Sequence, residues 1–182
     1  MPLFTMYGHD NDLSFFKDRN DVKRCSSCGL LVAKWEEDLG VVSIPRRLRY
    51  DVSSSYDGVV VVSGRFRDVY ERTGLTGLEF TPLTGDYFAL RATNTVIFDS
   101  ARRGTRFIKK CDECGQYESV AGAAPAFLVD GETIGELAFA RTDLEFGSGD
   151  EKAPVFVCGA RAAEALRGAK LKGMDLEKVE GT

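Results

Sequence analysis

Cys25-Ser26-Ser27-Cys28-Gly29 and Cys111-Asp112-Glu113-Cys114-Gly115 are a single motif, CxxCG, written twice in a chain of 182 residues. Two residues between paired thiolates let the backbone curl so that both sulfurs point at one ion. Two such turns then supply the four soft ligands of a tetrahedral site. Glycine directly after the second cysteine admits a positive φ, which turns amide groups toward the sulfurs. A lone CxxC also suits a redox dithiol. A repeat with glycine in register points instead to one shared site, with Cys25, Cys28, Cys111 and Cys114 as ligands. Four thiolates leave no position for water, so the ion is expected to be structural. Zinc is the expected occupant, although a single iron suits the same ligands.

Outward from the motif, Asp21-Val22-Lys23-Arg24 leads into the first pair and Arg106-Phe107-Ile108-Lys109-Lys110 into the second. Both read as short strands entering a tight turn, as in a zinc knuckle. A thioredoxin-like dithiol would need a strand running into a helix there. Knuckles are therefore expected over 22–31 and 108–117. The 82 residues from Gly29 to Lys110 far exceed the linker of a minimal zinc ribbon. An inserted α/β segment, 35–107, and a C-terminal one, 118–182, are expected within a single compact unit, 1–182. Cys158 closes the apolar run Val155-Phe156-Val157 and reads as a packed core thiol. His9, the only histidine, is expected in a polar turn, with little scope as ligand or general base.

Hydrophobic residues make up 43% and charged residues 29% of the chain, a globular composition. The opening Met1 to Tyr7, followed by Gly8-His9-Asp10-Asn11-Asp12, has neither the basic start nor the long apolar run of a signal peptide. Apolar runs such as Val59 to Val62 are too short to cross a bilayer. A cytoplasmic location, reduced thiols and no membrane partner are expected. The net charge of −4 is unevenly spread. Residues 1–110 hold 17 basic and 14 acidic side chains, residues 111–182 hold 7 and 14, so the front is +3 and the back −7. An acidic face for a basic partner is one consequence.

Apolar patterning predicts strands over 1–7, 30–32, 41–44, 59–62, 78–81, 87–90, 95–98, 117–120, 126–129 and 137–140. Residues 13–17 read as irregular or briefly helical, Trp35 as a packing residue, Asp130-Gly131 as a turn and 146–151 as a polar loop. Helical spacing through Phe66, Val69 and Tyr70 predicts a helix from Gly64 to Thr73, with Ser63 as its N-cap and Gly74 as its stop. This unit has a partner near the C-terminus. Val61-Val62-Ser63-Gly64, a helix, then Leu75-Thr76-Gly77-Leu78-Glu79-Phe80 parallels Phe156-Val157-Cys158-Gly159, a helix, then Leu171-Lys172-Gly173-Met174-Asp175-Leu176. The fold expected is α+β, with zinc ribbon-like four-cysteine knuckles and two related strand–helix–strand units packed on a mainly antiparallel sheet.

The two CxxCG motifs and the tail from Val155 to Val179 resemble the bacterial double-CXXCG motif family of immunity proteins, which protect against contact-delivered or exchanged toxins. Gly74 to Phe80 is similar to the G-L-x-G-φ-E-F ending of other immunity families. Residues 35–57 carry no matching feature. The resemblance implies a non-enzymatic protein that binds and neutralises a cognate toxin, with zinc holding its scaffold. Toxin nucleases are often basic, which would suit an acidic contact surface built from Glu132, Glu136, Asp143, Glu145, Asp150 and Glu151.

The main rival is nucleic-acid binding through Arg46-Arg47 with Arg49, or through Arg102-Arg103-Arg106 with Lys109-Lys110, with Phe107 and Tyr117 as stacking rings. A pI near 5.2 speaks against it, since such domains run strongly basic. An enzyme finds little support. The chain has no P-loop, GxGxxG, HExxH or G-x-S-x-G, and adjacent carboxylates such as Glu36-Glu37 read as solvated.

Overall fold

The strand that joins the molecule together is β1 (Leu3–Asp10). In the computed structural model, which describes residues 1–180 apart from the side chain of Glu132, β1 is paired on both edges. Thr5 lies opposite Val157 of β10 (Ala153–Gly159) on one side and Glu177 of β11 (Met174–Lys178) on the other, both antiparallel. The last two residues of β1, His9 and Asp10, pair in parallel with Ser53 and Ser54 of β2 (Val52–Ser54).

The remaining strands are β3 (Val60–Ser63), β4 (Leu78–Pro82), β5 (Tyr87–Ala92), β6 (Thr95–Val96), β7 (Arg106–Lys110), β8 (Tyr117–Ala121) and β9 (Phe139–Ser148). The sheet runs β4-β5-β3-β2-β1-β10-β9-β8-β7, with β11 on β1 and β6 in parallel on β9. Helices are few: α1 (Gly64–Arg72), α2 (Ser100–Arg103) and α3 (Ala160–Gly168). The fold is α+β on a mostly antiparallel sheet, and no helix among the described residues is long and apolar enough to cross a membrane.

Unbroken apolar runs mark strands buried on both faces. Val60 and Val62 of β3 pack with Phe66 and Val69 of α1, whereas Val59 and Val61 face Phe15, Phe16 and Leu39. In β10, Phe156 and Cys158 join the helix-side core, and Val157 joins Leu3, Val96 and Phe98 behind it. The helix-side core takes residues from both the 35–107 and the 118–182 segments, since α1 and α3 bury Phe66, Val69, Ala162, Ala163 and Leu166 in one cluster. Ser63 caps α1 by accepting from the Phe66 amide, and Gly74 stops it at φ 69°.

The two strand–helix–strand units share a topology. β3 leads through α1 to β4, and β5 pairs antiparallel with both strands. β10 leads through α3 to β11, and β1 pairs antiparallel with both. Each is thus a split unit, two parallel strands separated by one antiparallel strand. The glycine before each closing strand, Gly77 at φ 89° and Gly173 at φ 83°, holds the same left-handed conformation. A Cβ at Gly77 would lie 2.3 Å from the Phe139 carbonyl oxygen, and one at Gly173 would meet Tyr50 at 2.4 Å.

Several expected strands are absent, each for a local reason. Residues 21–24 and 30–32 form one bridge, Arg24 to Leu31, because the knuckle turn between them allows no longer ladder. Residues 41–44 are irregular, since the amides of this loop bond side chains: Gly40 to Asp38, Ile44 to Thr84 and Leu48 to the Tyr87 hydroxyl. Residues 126–129 make separate bonds to the chain at Ile97, Asp99 and Glu180 rather than a ladder. Residues 139–140 of the expected 137–140 strand and 146–148 of the expected loop belong to the long β9, and a 3-10 turn over Gly149–Glu151 follows it. His9 stands in β1, not in a turn.

Candidate metal centre

Each CxxCG turn closes with the same two main-chain bonds. The Cys25 amide donates to the Leu30 carbonyl at 2.9 Å, and the Gly29 amide to the Cys25 carbonyl at 2.9 Å. In the second turn Cys111 donates to Gln116 at 2.8 Å and Gly115 to Cys111 at 2.9 Å. Gly29 and Gly115 have φ of 74° and 73°, which a side chain would strain. The second turn is held by the β7–β8 hairpin, where Lys110 pairs with Tyr117; the first has only the Arg24–Leu31 bridge and the bond from the Val32 amide to the Lys23 carbonyl as its strand pairing.

The four sulfurs lie within 4.8 Å of one another. Cys25 and Cys111 Sγ are 3.8 Å apart, and Cys28 and Cys114 Sγ 3.6 Å. A regular tetrahedron of sulfurs at about 2.3 Å from a central ion has edges of about 3.8 Å, so this donor set could hold a metal ion. Cys25 is buried, Cys111 and Cys114 half-buried, and Cys28 exposed. The amides of Cys114 and Glu113 point at the Cys111 sulfur and draw its pKa down to about 7. The Leu30 amide favours the Cys28 thiolate, yet local desolvation and the sulfurs of Cys25, Cys111 and Cys114 outweigh it and push that thiol up to about 12. Uncompensated, four thiolates at this spacing repel one another, which a cation at the centre relieves. Cys158 stands apart in the core, and burial pushes its thiol up to about 12.

The surroundings tie the two turns to each other and to the sheet. Glu113 accepts from the hydroxyls of Ser26, at 2.7 Å, and Ser27, linking second turn to first. These two bonds, Ser27 first, hold the Glu113 carboxyl below the usual carboxylate range. Gln116 donates to the Leu31 carbonyl at 2.8 Å, and Lys152 bonds the Tyr117 carbonyl. Arg24 bonds the Gly29 carbonyl and pairs with Asp150 at 2.9 Å. Behind the first turn lies Lys34, 7% exposed, whose ammonium donates to the carbonyls of Asp57, Asp150 (2.7 Å) and Lys152 (2.8 Å). None of Gln116, Lys34 and Lys152 carries a local sequence signal for this placement; a lysine after a CxxCG turn reads as solvated.

A cleft of about 650 Å³ opens beside the cysteines, between Trp35, Tyr117 and β9. Of the acidic residues expected at a contact surface, Asp143, Glu145 and Asp150 line it together. All three are partly engaged: Asp143 accepts from the Phe98 amide, Glu145 from the Trp35 indole at 2.5 Å, and Asp150 pairs with Arg24. Glu151 is exposed next to the Tyr56 hydroxyl. Glu136 is elsewhere, before β9 and 4.0 Å from Arg161 of α3. Glu132 falls in the 3-10 turn Gly131–Thr133, and its side chain lies outside the described residues.

Comparison of the chain with protein-family models and with curated proteins gave no match to either.

Proposed function

We propose that this chain is a toxin-neutralising immunity protein that works inside the cell by binding, not by catalysis, and that its four cysteines hold one structural zinc ion in a ribbon-like pair of knuckles. The observation that carries the zinc assignment is the sulfur spacing of 3.6 and 3.8 Å between turns 86 residues apart. When bound, zinc would supply four strong bonds and no open coordination position, which suits a scaffold. The resemblance of the repeated CxxCG and of the tail to an immunity family supplies the biological role. The cleft beside the knuckles is the proposed contact face, with Asp143, Glu145 and Asp150 presenting negative charge around Trp35.

The nucleic-acid reading is weakened at its second candidate stretch by what surrounds those residues. Phe107 and Tyr117 pack on each other with ring centroids 5.0 Å apart, Lys109 pairs with Glu118, Arg103 bonds the Ala124 carbonyl, and Arg102 lies on Phe127. Little of that stretch is left for bases or phosphates.

The test is a growth assay. Proteins captured by the tagged chain are identified and each is expressed in a heterologous bacterial host, with and without this chain. A captured protein that arrests growth alone and not with its partner supports the proposal. Captured proteins that never arrest growth, or an arrest that co-expression leaves unchanged, contradict it.

A further inference from the structure

Five cations are gathered away from the cysteines, in a groove of about 1000 Å³ that shares no residue with the cleft beside them. Four stretches of chain build it: the irregular loop carrying Arg46, Arg47 and Arg49, the start of α1 with Arg65, the β4–β5 turn from Thr84 to Tyr87, and Lys172 before β11. The loop is held open by side chains, with the Ile44 amide on Thr84 Oγ1 at 2.6 Å and the Leu48 amide on the Tyr87 hydroxyl at 2.8 Å. The groove is therefore formed before anything binds.

Five cations face two carboxylates there. Asp51 is already committed to the Ser63 hydroxyl, the Lys172 amide and Arg65 at 3.3 Å. Asp86 leans over Gly64 at the start of α1, where an added Cβ would lie 2.1 Å from its carboxylate. Arg46 pairs with Asp12 at 3.1 Å in an exposed contact. Among the described residues, Arg47, Arg49 and Lys172 have no carboxylate within ion-pair distance. A converging set of free guanidinium forks and one ammonium is a match for carboxylates, which arginine takes two oxygens at a time.

We propose that this groove is a binding site for an acidic protein segment, one rich in Asp and Glu, docked by Arg47, Arg49 and Lys172. A protein segment fits better than a nucleic acid because both tyrosines of the groove already have partners. Arg49 covers Tyr50 at 5.3 Å from the ring centroid, His9 meets the same ring at 5.1 Å, and the Tyr87 hydroxyl is occupied by Leu48. The site goes beyond the toxin reading and does not depend on it.

The probe is a dye-labelled poly-glutamate peptide, titrated with the full chain at low salt and followed by fluorescence anisotropy. Saturable binding is expected, weakened about tenfold or more by Arg47→Glu with Arg49→Glu, because like charges then face the ligand. Arg72→Glu with Arg106→Glu, at exposed sites outside the groove, should leave it unchanged. Circular dichroism verifies that each variant folds, and Arg47→Ala with Lys172→Ala gives the same readout should the charge reversals disturb the loop. No saturable binding, or equal loss in the groove and control variants, overturns the site. Tighter binding of oligothymidine through the same arginines overturns the choice of an acidic protein. None of these outcomes bears on the growth assay, so the two readings fail separately.

Discussion

Ser26 of the first knuckle and Glu113 of the second, 87 residues apart in sequence, share a hydrogen bond of 2.7 Å from Oγ to Oε1. With the neighbouring bond from Ser27, it fastens the two turns together outside the ligand set. Partners of this kind orient ligands and are worth about 10–100-fold in metal affinity. Glu113→Ala should therefore weaken metal retention roughly tenfold in competition with a chromophoric chelator. Asp112→Ala, between the same ligands but without such bonds in the described residues, should change it far less. Equal effects of the two substitutions would remove the link from the account.

Thiol reactivity separates the five cysteines. Cys158 is fully buried and its thiol is pushed up to about 12, so it should stay inert toward alkylating reagent in any folded state. The four clustered cysteines should be protected by the metal and become reactive when a chelator removes it. Mass spectrometry after alkylation would count the modified sites under native, chelated and denatured conditions. Early modification of Cys158 would contradict its place in the core.

Lys34 is a buried cation whose partners are three carbonyl groups. Lys34→Met keeps the volume but strands those acceptors, and should cost about 2–3 kcal/mol in urea denaturation. Burial lowers the Lys34 pKa to about 8 in the folded state, whereas an unfolded lysine titrates above about 10. Between those values the unfolded chain binds more protons, so the stability that Lys34 confers rises with pH. The gap between wild type and Lys34→Met should widen from about pH 8 to about pH 10. A gap that narrows would reverse the assignment.

The paired glycines of the two split units give a test of their likeness. Gly77→Ala and Gly173→Ala should each destabilise by more than about 1 kcal/mol, through a positive φ and contact with neighbouring atoms. Gly168→Ala, with open space around it in α3, should stabilise by roughly 0.5–1 kcal/mol. Thermal melts of the three variants decide it. A neutral Gly77 or Gly173 substitution would count against the conformation described.

What the sequence made legible is what local chemistry dictates. The glycine after each CxxC fixes a turn whatever surrounds it, so the four-cysteine cluster could be read from residues alone. Ser63 and Gly74 bound α1 for the same reason, and the repeat survives as two split units because its glycines carry the closing turns. The missed features are made by contacts between distant residues. Gly147, Asp143 and Glu145 break the apolar pattern of β9, yet pairing with β10 and β8 carries the strand through. Lys34 reads as solvated until three carbonyls from two remote turns converge on it. The basic groove needs Arg65 and Lys172, neither of which is near the loop in sequence.

Metal content per chain, measured by mass spectrometry on the purified protein and on Cys25→Ser and Cys111→Ser, tests the shared site most directly. The account predicts one zinc per wild-type chain and loss of that ion in either variant. It also predicts a large fall in melting temperature on chelation, since such a site contributes on the order of 10 kcal/mol to folding. Two ions per chain, iron in place of zinc, or no metal and an unchanged melt would contradict it.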